Sequence, residues 1–130
     1  MLPRQHRMVS PEEFRWTLRS GSRGSNRYVV VTIAVPDTGA AIALPENNDP
    51  PVTRVGFVVA KREVPRAVDR NRVKRNLRHH CYRVLGELPE GSLVVVRVLG
   101  PALRLDEAQL RGKFDDALAK AQEKVRQVWT

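Results

Sequence analysis

The sequence is poor in several things, and each absence removes a class of protein. It holds one cysteine, Cys81, so no intramolecular disulfide can form and a reducing, cytoplasmic setting is expected. It has no run of roughly 18 apolar residues and no apolar leader of the signal-peptide kind, which predicts a soluble, unexported chain with no membrane partner. It lacks a nucleophile motif, a Gly-rich phosphate loop, and any acidic cluster suited to a two-metal nuclease. Negative charge is scarce where positive charge is densest: residues 54–83 carry ten Lys and Arg against only Glu63 and Asp69.

What is present is enough apolar material for a core, and a strong positive field. Of 130 residues, 42% are hydrophobic, which suits a single domain spanning 1–130. Lys and Arg number 23 against 14 acids, a net charge of +9, and such a field calls for a polyanionic partner. Residues 1–28 add six bases to two acids, whereas 29–53 hold three acids and no base, and 84–130 balance seven against seven. The cationic surface therefore belongs to the N-terminal and central segments, and the rest is scaffold.

Residues 1–9 form a basic arm without periodicity. Ser10 as N-cap, Pro11 at the first helical position, Glu13 three residues after the cap and Val9 placed to staple against Phe14 then predict a short helix to Ser20, closed by Gly21. Phe14 and Leu18 share one face of it, Arg15 and Arg19 another. After a turn-like SRGSN, the β-branched run Arg27–Val35 predicts a strand. Residues 37–53, with three prolines, read as a long mobile loop. Arg54–Arg62 predicts a second strand pairing with the first as a wide hairpin. Ser92–Leu99, apolar apart from Arg97, predicts a third, parallel to the second across a helical crossover. Leu105, Asp106, Gln109 and Leu110 are start signals for a last helix, whose stripe Phe114, Leu118, Ala121 and Val125 covers the sheet.

Between the second and third strands lies the basic segment 62–83. Val73, Leu77, His80, Cys81 and Val84 recur every three or four residues as the docked stripe of a helix, with Asp69 the expected N-cap for a start at Arg70. Asn71, Arg72, Lys74, Arg75, Arg78 and His79 then fan around the opposite side, while Arg70 falls nearer the apolar edge. Cations at this density repel one another unless an anion compensates them, and guanidinium groups both chelate phosphate and stack on bases. His79, His80 and Cys81 do not make a metal site, because adjacent His residues point to different sides of a helix and no fourth ligand exists. Nucleic-acid binding is the function this segment predicts.

The run Gly56-Phe57-Val58-Val59-Ala60-Lys61-Arg62, followed by Ala67-Val68-Asp69-Arg70-Asn71-Arg72-Val73-Lys74-Arg75-Asn76-Leu77-Arg78, resembles the signature of the bacterial ribonuclease P protein subunit, whose hallmark is Arg-Asn-Arg. The likeness extends to the basic leader, the Glu13-Phe14 helix, and the C-terminal strand and helix. It implies a two-layer α/β sandwich, of the ribosomal protein S5 domain 2-like kind, with a small mixed sheet of three to four strands, three helices and a left-handed βαβ crossover, where general principles alone would predict a right-handed one. It also implies that the catalyst is a partner RNA, which removes the 5′ leader of precursor tRNA with Mg²⁺ held mainly by that RNA. No catalytic or metal-binding residue and no obligate protein partner are then expected in this chain. On the family's pattern, Lys61, Arg62, Arg70, Asn71, Arg72, Lys74, Arg75 and Arg78 face the catalytic RNA, and Phe14, Leu18, Tyr28, Val30 and Thr32 line a cleft for the leader. In relatives the position of Leu18 is often aromatic and that of Thr32 can carry Tyr, so base stacking falls to Phe14 or Tyr28.

Three other readings remain open at this point. A ribosomal or other architectural RNA-binding protein would want the same basic helix on a small sheet. A DNA-binding regulator would need a helix-turn-helix partner where the chain reads as strand. A self-sufficient nuclease would need carboxylates near the basic face, and only Glu63 and Asp69 are close.

Overall fold

The computed structural model describes residues 7–8, 10–35, 53–88 and 91–129. Its elements are α1 (Pro11–Ser20), β1 (Ser22–Ser25), β2 (Val29–Ala34), β3 (Arg54–Val58), α2 (Ala67–Val84), β4 (Leu93–Val98) and α3 (Glu107–Trp129), with short 3-10 turns at Leu85–Glu87 and Gly100–Arg104. The α/β class, the mixed sheet and the three helices are those the sequence predicts. The 37–52 stretch of the loop, the first six residues of the arm, Val9, Pro89 and Glu90 lie outside the described residues.

The strands are ordered β1-β2-β4-β3. β1 and β4 flank β2 antiparallel, and β3 runs parallel to β4 across the α2 crossover. The expected hairpin between the first two predicted strands is therefore absent, because β4 lies between them. Its sequence explains this: LVVVRV is apolar on both faces, and a strand of that kind belongs in the middle of a sheet covered on both sides. The crossover itself pairs the parallel strands as predicted, with Gly56 opposite Val95 and Val58 opposite Arg97.

SRGSN, read as a turn, is mostly the edge strand β1, paired from Ser22 with Ile33 to Ser25 with Val30. Polar Ser and Gly residues give no strand signal, and tertiary packing decides the matter. Gly24 lies against α3 so closely that a Cβ would overlap the backbone of Ala117 and Ala121. Only a residue without a side chain lets this helix settle on the sheet edge.

One sheet face carries the main core. Val29, Val31 and Ile33 of β2, Val55 of β3 and Val94, Val96 and Val98 of β4 pack with Val73, Leu77 and Cys81 of α2 and with Leu110, Phe114, Leu118 and Val125 of α3. The opposite face is crossed by α1, over a smaller cluster of Met8, Leu93 and Val95 against which Phe14, Trp16 and Val58 rest. Met8 belongs to the fold and not to a loose arm: its N–H donates to the Val55 carbonyl at 3.0 Å and its side chain is buried.

The helix starts follow local chemistry with one exception. Asp106 accepts from the Gln109 N–H at 2.7 Å while the Gln109 side chain accepts from the Asp106 N–H at 3.0 Å, a complete capping box for α3. Ser10 caps α1 more weakly, accepting from the Glu13 N–H at 3.4 Å. Asp69 does not cap α2, which begins earlier, at Ala67 after Arg66, with no side-chain cap. Pro65 precedes that start, and the Arg70 side chain stabilises it by donating to the Val64 and Pro65 carbonyls at 2.9 and 2.8 Å.

Candidate nucleic-acid interface

Three buried residues, Val73, Leu77 and Cys81, fasten α2 to the sheet, and the α3 side is secured by polar bonds. Asn76 donates to the Glu107 carbonyl and accepts from Arg111 at 3.0 Å, and His80 Nε2 lies 2.7 Å from Asp115 with its ring edge-on to Phe114. His80 and Asn76 are thus docking residues. Burial pushes the Cys81 thiol up to about 12, helped by the Asp115 charge, so Cys81 is an inert core atom. Among the described residues no group of three or more His, Cys, Asp or Glu could hold a metal ion.

The residues predicted to face RNA separate into kinds. Asn71 and Arg75 are exposed and Lys74 is half-buried, and no carboxylate among the described residues pairs with Lys74 or Arg75. Arg72 is exposed but shares its charge with Asp69 at 3.5 Å. Arg78 is half-buried, its guanidinium carbon 5.9 Å from the Phe57 ring centroid, and its buried Nε has no partner. Arg70 is consumed by the two carbonyls it clamps. Lys61 and Arg62 are exposed on a turn fixed from beneath: the Ala60 carbonyl accepts from the N–H groups of Glu63 and Val64, and the Glu63 carboxylate accepts from the Gly100 N–H at 2.8 Å. Arg66 and Arg83 are further exposed cations of this surface, which the predicted set omitted.

A second surface lies on the face crossed by α1. The helix is pinned at one end by the Glu13–Arg54 ion pair at 3.1 Å and by the Phe14 ring, which sits on the bare Cα of Gly56. At its other end Gly21 abuts Thr32 and the Ile33 carbonyl. The conformation of Gly21, with φ −81, is open to any residue, so glycine is required there by close approach and not by a left-handed turn. So seated, α1 covers the row Thr32–Val95–Gly56 and leaves the next row on the same face, Ser25–Val30–Arg97–Val58, more exposed. Burial marks the boundary: Thr32 and Val95 are each 1% exposed, while Val30, Arg97 and Val58 are half-buried. Phe14 flanks this strip, and Leu18, 42% exposed, continues its ridge one turn on.

The predicted cleft residues are therefore only partly brought together. Phe14, Leu18 and Val30 all belong to the face crossed by α1, the first two on the helix and Val30 in the row beside it. Thr32 lies beneath α1, its hydroxyl buried and without a hydrogen bond. Tyr28 is on the other face: the chain bends before β2, where the Asn26 side chain accepts from the N–H groups of Tyr28 and Val29, and the ring lies under Lys113 of α3 at 5.5 Å. Strand alternation extrapolated back to Tyr28 fails because that bend intervenes. Val58 and Arg97 were missed as strip residues, although period-two alternation from Leu93 already sets Arg97 on the Val95 face.

The family model described as Ribonuclease P matches residues 2–122. The chain belongs to the ribonuclease P family. It is similar to the ribonuclease P protein component of Kocuria rhizophila, 42% identical over 121 residues, covering 93% of this chain and 96% of that one. It resembles the Corynebacterium diphtheriae component at 37% identity, covering 95% and 99%. Among solved structures, the RNase P protein from Thermotoga maritima superposes with a TM-score of 0.65 at 25% identity, covering 88% of this chain and 94% of that one. The Staphylococcus aureus protein, at 23% identity and a TM-score of 0.66, covers 93% and 92% and shares the fold. Membership sets this chain among the protein components of ribonuclease P, an endoribonuclease of tRNA processing.

Proposed function

We propose that the chain is the RNA-docking and substrate-holding subunit of a ribonuclease P ribonucleoprotein that removes the 5′ leader of precursor tRNA. The observation that carries this is the outer face of α2 and the turn before it, where Lys61, Arg62, Arg66, Lys74, Arg75 and Arg83 stand without a carboxylate partner among the described residues. Unpaired cations this dense are held together at a repulsive cost that a phosphate backbone would relieve by releasing its counterions. This face docks the catalytic RNA. The strip beside α1 takes the single-stranded leader against Phe14, Leu18 and Val30.

Catalysis and Mg²⁺ are assigned to the RNA. The nearest acids to the basic face do not fit a metal site: Asp69 is engaged by Arg72, and Glu63 accepts from the Gly100 N–H. Reconstitution tests the whole reading. Purified protein, a bacterial catalytic RNA and precursor tRNA are mixed at low Mg²⁺, and leader removal is followed by gel. The protein should accelerate cleavage and do nothing without the RNA. No acceleration would sink the docking role, and cleavage by protein alone would move the chemistry back into this chain.

A further inference from the structure

Arg97 is the one charge in the strand LVVVRV, and its position is costly. In register it stands between Val30 of β2 and Val58 of β3, so neither cross-strand neighbour returns any electrostatic stabilisation. It is half-buried, and no acid among the described residues pairs with it. The next position on the same face of β4, Val95, is 1% exposed under α1. A Val or Leu at position 97 would continue the apolar pattern and suit a central strand better. The side chain can lay its methylenes over the two valines and hold its guanidinium in the open strip.

We infer that Arg97 is a phosphate-binding residue for single-stranded RNA, fixing the leader's backbone in the strip beside Phe14. This rests on the leader-holding role proposed above and names its anchor. Of the two aromatic rings expected in the cleft, Phe14 stays on this face while Tyr28 lies on the other, so the stacking expected there is halved. A guanidinium supplies what is missing, a planar fork that chelates a phosphate and can also stack. The strip crosses four strands, about 14 Å at their usual spacing, and Arg97 sits on an inner strand, where a chain lying along α1 must pass over it. It also lies toward the C-terminal ends of β3 and β4, the end from which the 60–64 turn leads into α2. A leader held there enters from the side of the RNA-docking surface.

The test uses the reconstituted holoenzyme with Arg97→Gln and Arg97→Lys, each with leader-bearing precursor tRNA and with leaderless tRNA, over a salt series. Arg97→Gln should weaken binding of the leader-bearing substrate about ten-fold, leave leaderless tRNA unchanged, and reduce the slope of log affinity against log salt by about 0.7, one single-strand phosphate contact. Arg97→Lys should keep the slope and lose affinity only a few-fold, because charge remains and the fork does not. Wild-type affinity and slope in Arg97→Gln, or an equal loss on both substrates, overturns the role of Arg97 while leaving leader holding intact. If the wild-type protein itself gives no preference for the leader-bearing substrate, the leader-holding reading fails, and this one with it. Melting curves accompany both variants, and if Arg97→Gln is unfolded the Lys variant decides: loss of the salt slope there overturns the inference.

Discussion

Two arginines five residues apart in one motif do different work. Arg70 spends its guanidinium on the Val64 and Pro65 carbonyls, whereas Arg75 projects from the exposed face without an acidic partner among the described residues. Arg70→Ala should therefore lower stability by about 1–2 kcal/mol, the scale for charged hydrogen bonds lost to partly buried carbonyls, visible in urea melts of the free protein. Arg75→Ala should leave the melt within about 0.5 kcal/mol yet weaken RNA binding and cut the salt slope by roughly one. If the two variants behaved alike in both assays, Arg70 would not be a clamp distinct from the contact at Arg75. The sequence hinted at this difference, because Arg70 falls near the apolar edge of the helical wheel. It could not name the carbonyls, which are set by the turn that Pro65 and Val64 make before the helix.

Elements hold together through their ends and through missing side chains. The capping box of α3 has two good hydrogen bonds, while the cap of α1 has one at 3.4 Å. Asp106→Ala should cost about 1 kcal/mol and Ser10→Ala clearly less, measured by chemical denaturation. Glycine contacts should show the opposite of the usual mildness of Gly→Ala. At Gly24 an added Cβ meets the α3 backbone, which cannot rotate away, and at Gly56 it meets the Phe14 ring, which can. Gly24→Ala should therefore be the more damaging, at or above the 1–3 kcal/mol typical of overpacking. Gly56→Ala should be largely rescued in a Phe14→Ala background. Equal costs, or no rescue, would mean that these close approaches do not position α3 and α1.

At the scale of the whole molecule, the main core reports on pH through Cys81. Its thiol ionises near 9.0 when unfolded and at about 12 when folded, because burial and then Asp115 oppose the thiolate. Below pH 9 the proton is bound in both states and the group is silent. Between pH 9 and 12 the folded protein keeps a proton that the unfolded chain has lost, so stability must fall as pH rises through that window. Denaturation at successive pH values should show that decline, and Cys81→Ala, though less stable at neutral pH, should lose the part of it due to the thiol. A thiol reagent at pH 8 should react with Cys81 only on unfolding, and rapid labelling of the native protein would contradict its place in the core. What the sequence determined by itself was whatever is local or periodic: the helices, the α3 capping box, the buried stripe of α2, the parallel crossover, and the excess charge that demands a polyanion. Tertiary structure alone decided that β4 lies between β2 and β3, that Ser22–Ser25 is a strand, that Tyr28 turns away to α3, and that the half-buried row beside α1 carries Arg97. Those outcomes depend on which surfaces are left over once the most apolar strand has taken the centre and the helices have settled where glycines admit them, and no window of neighbouring residues contains that information.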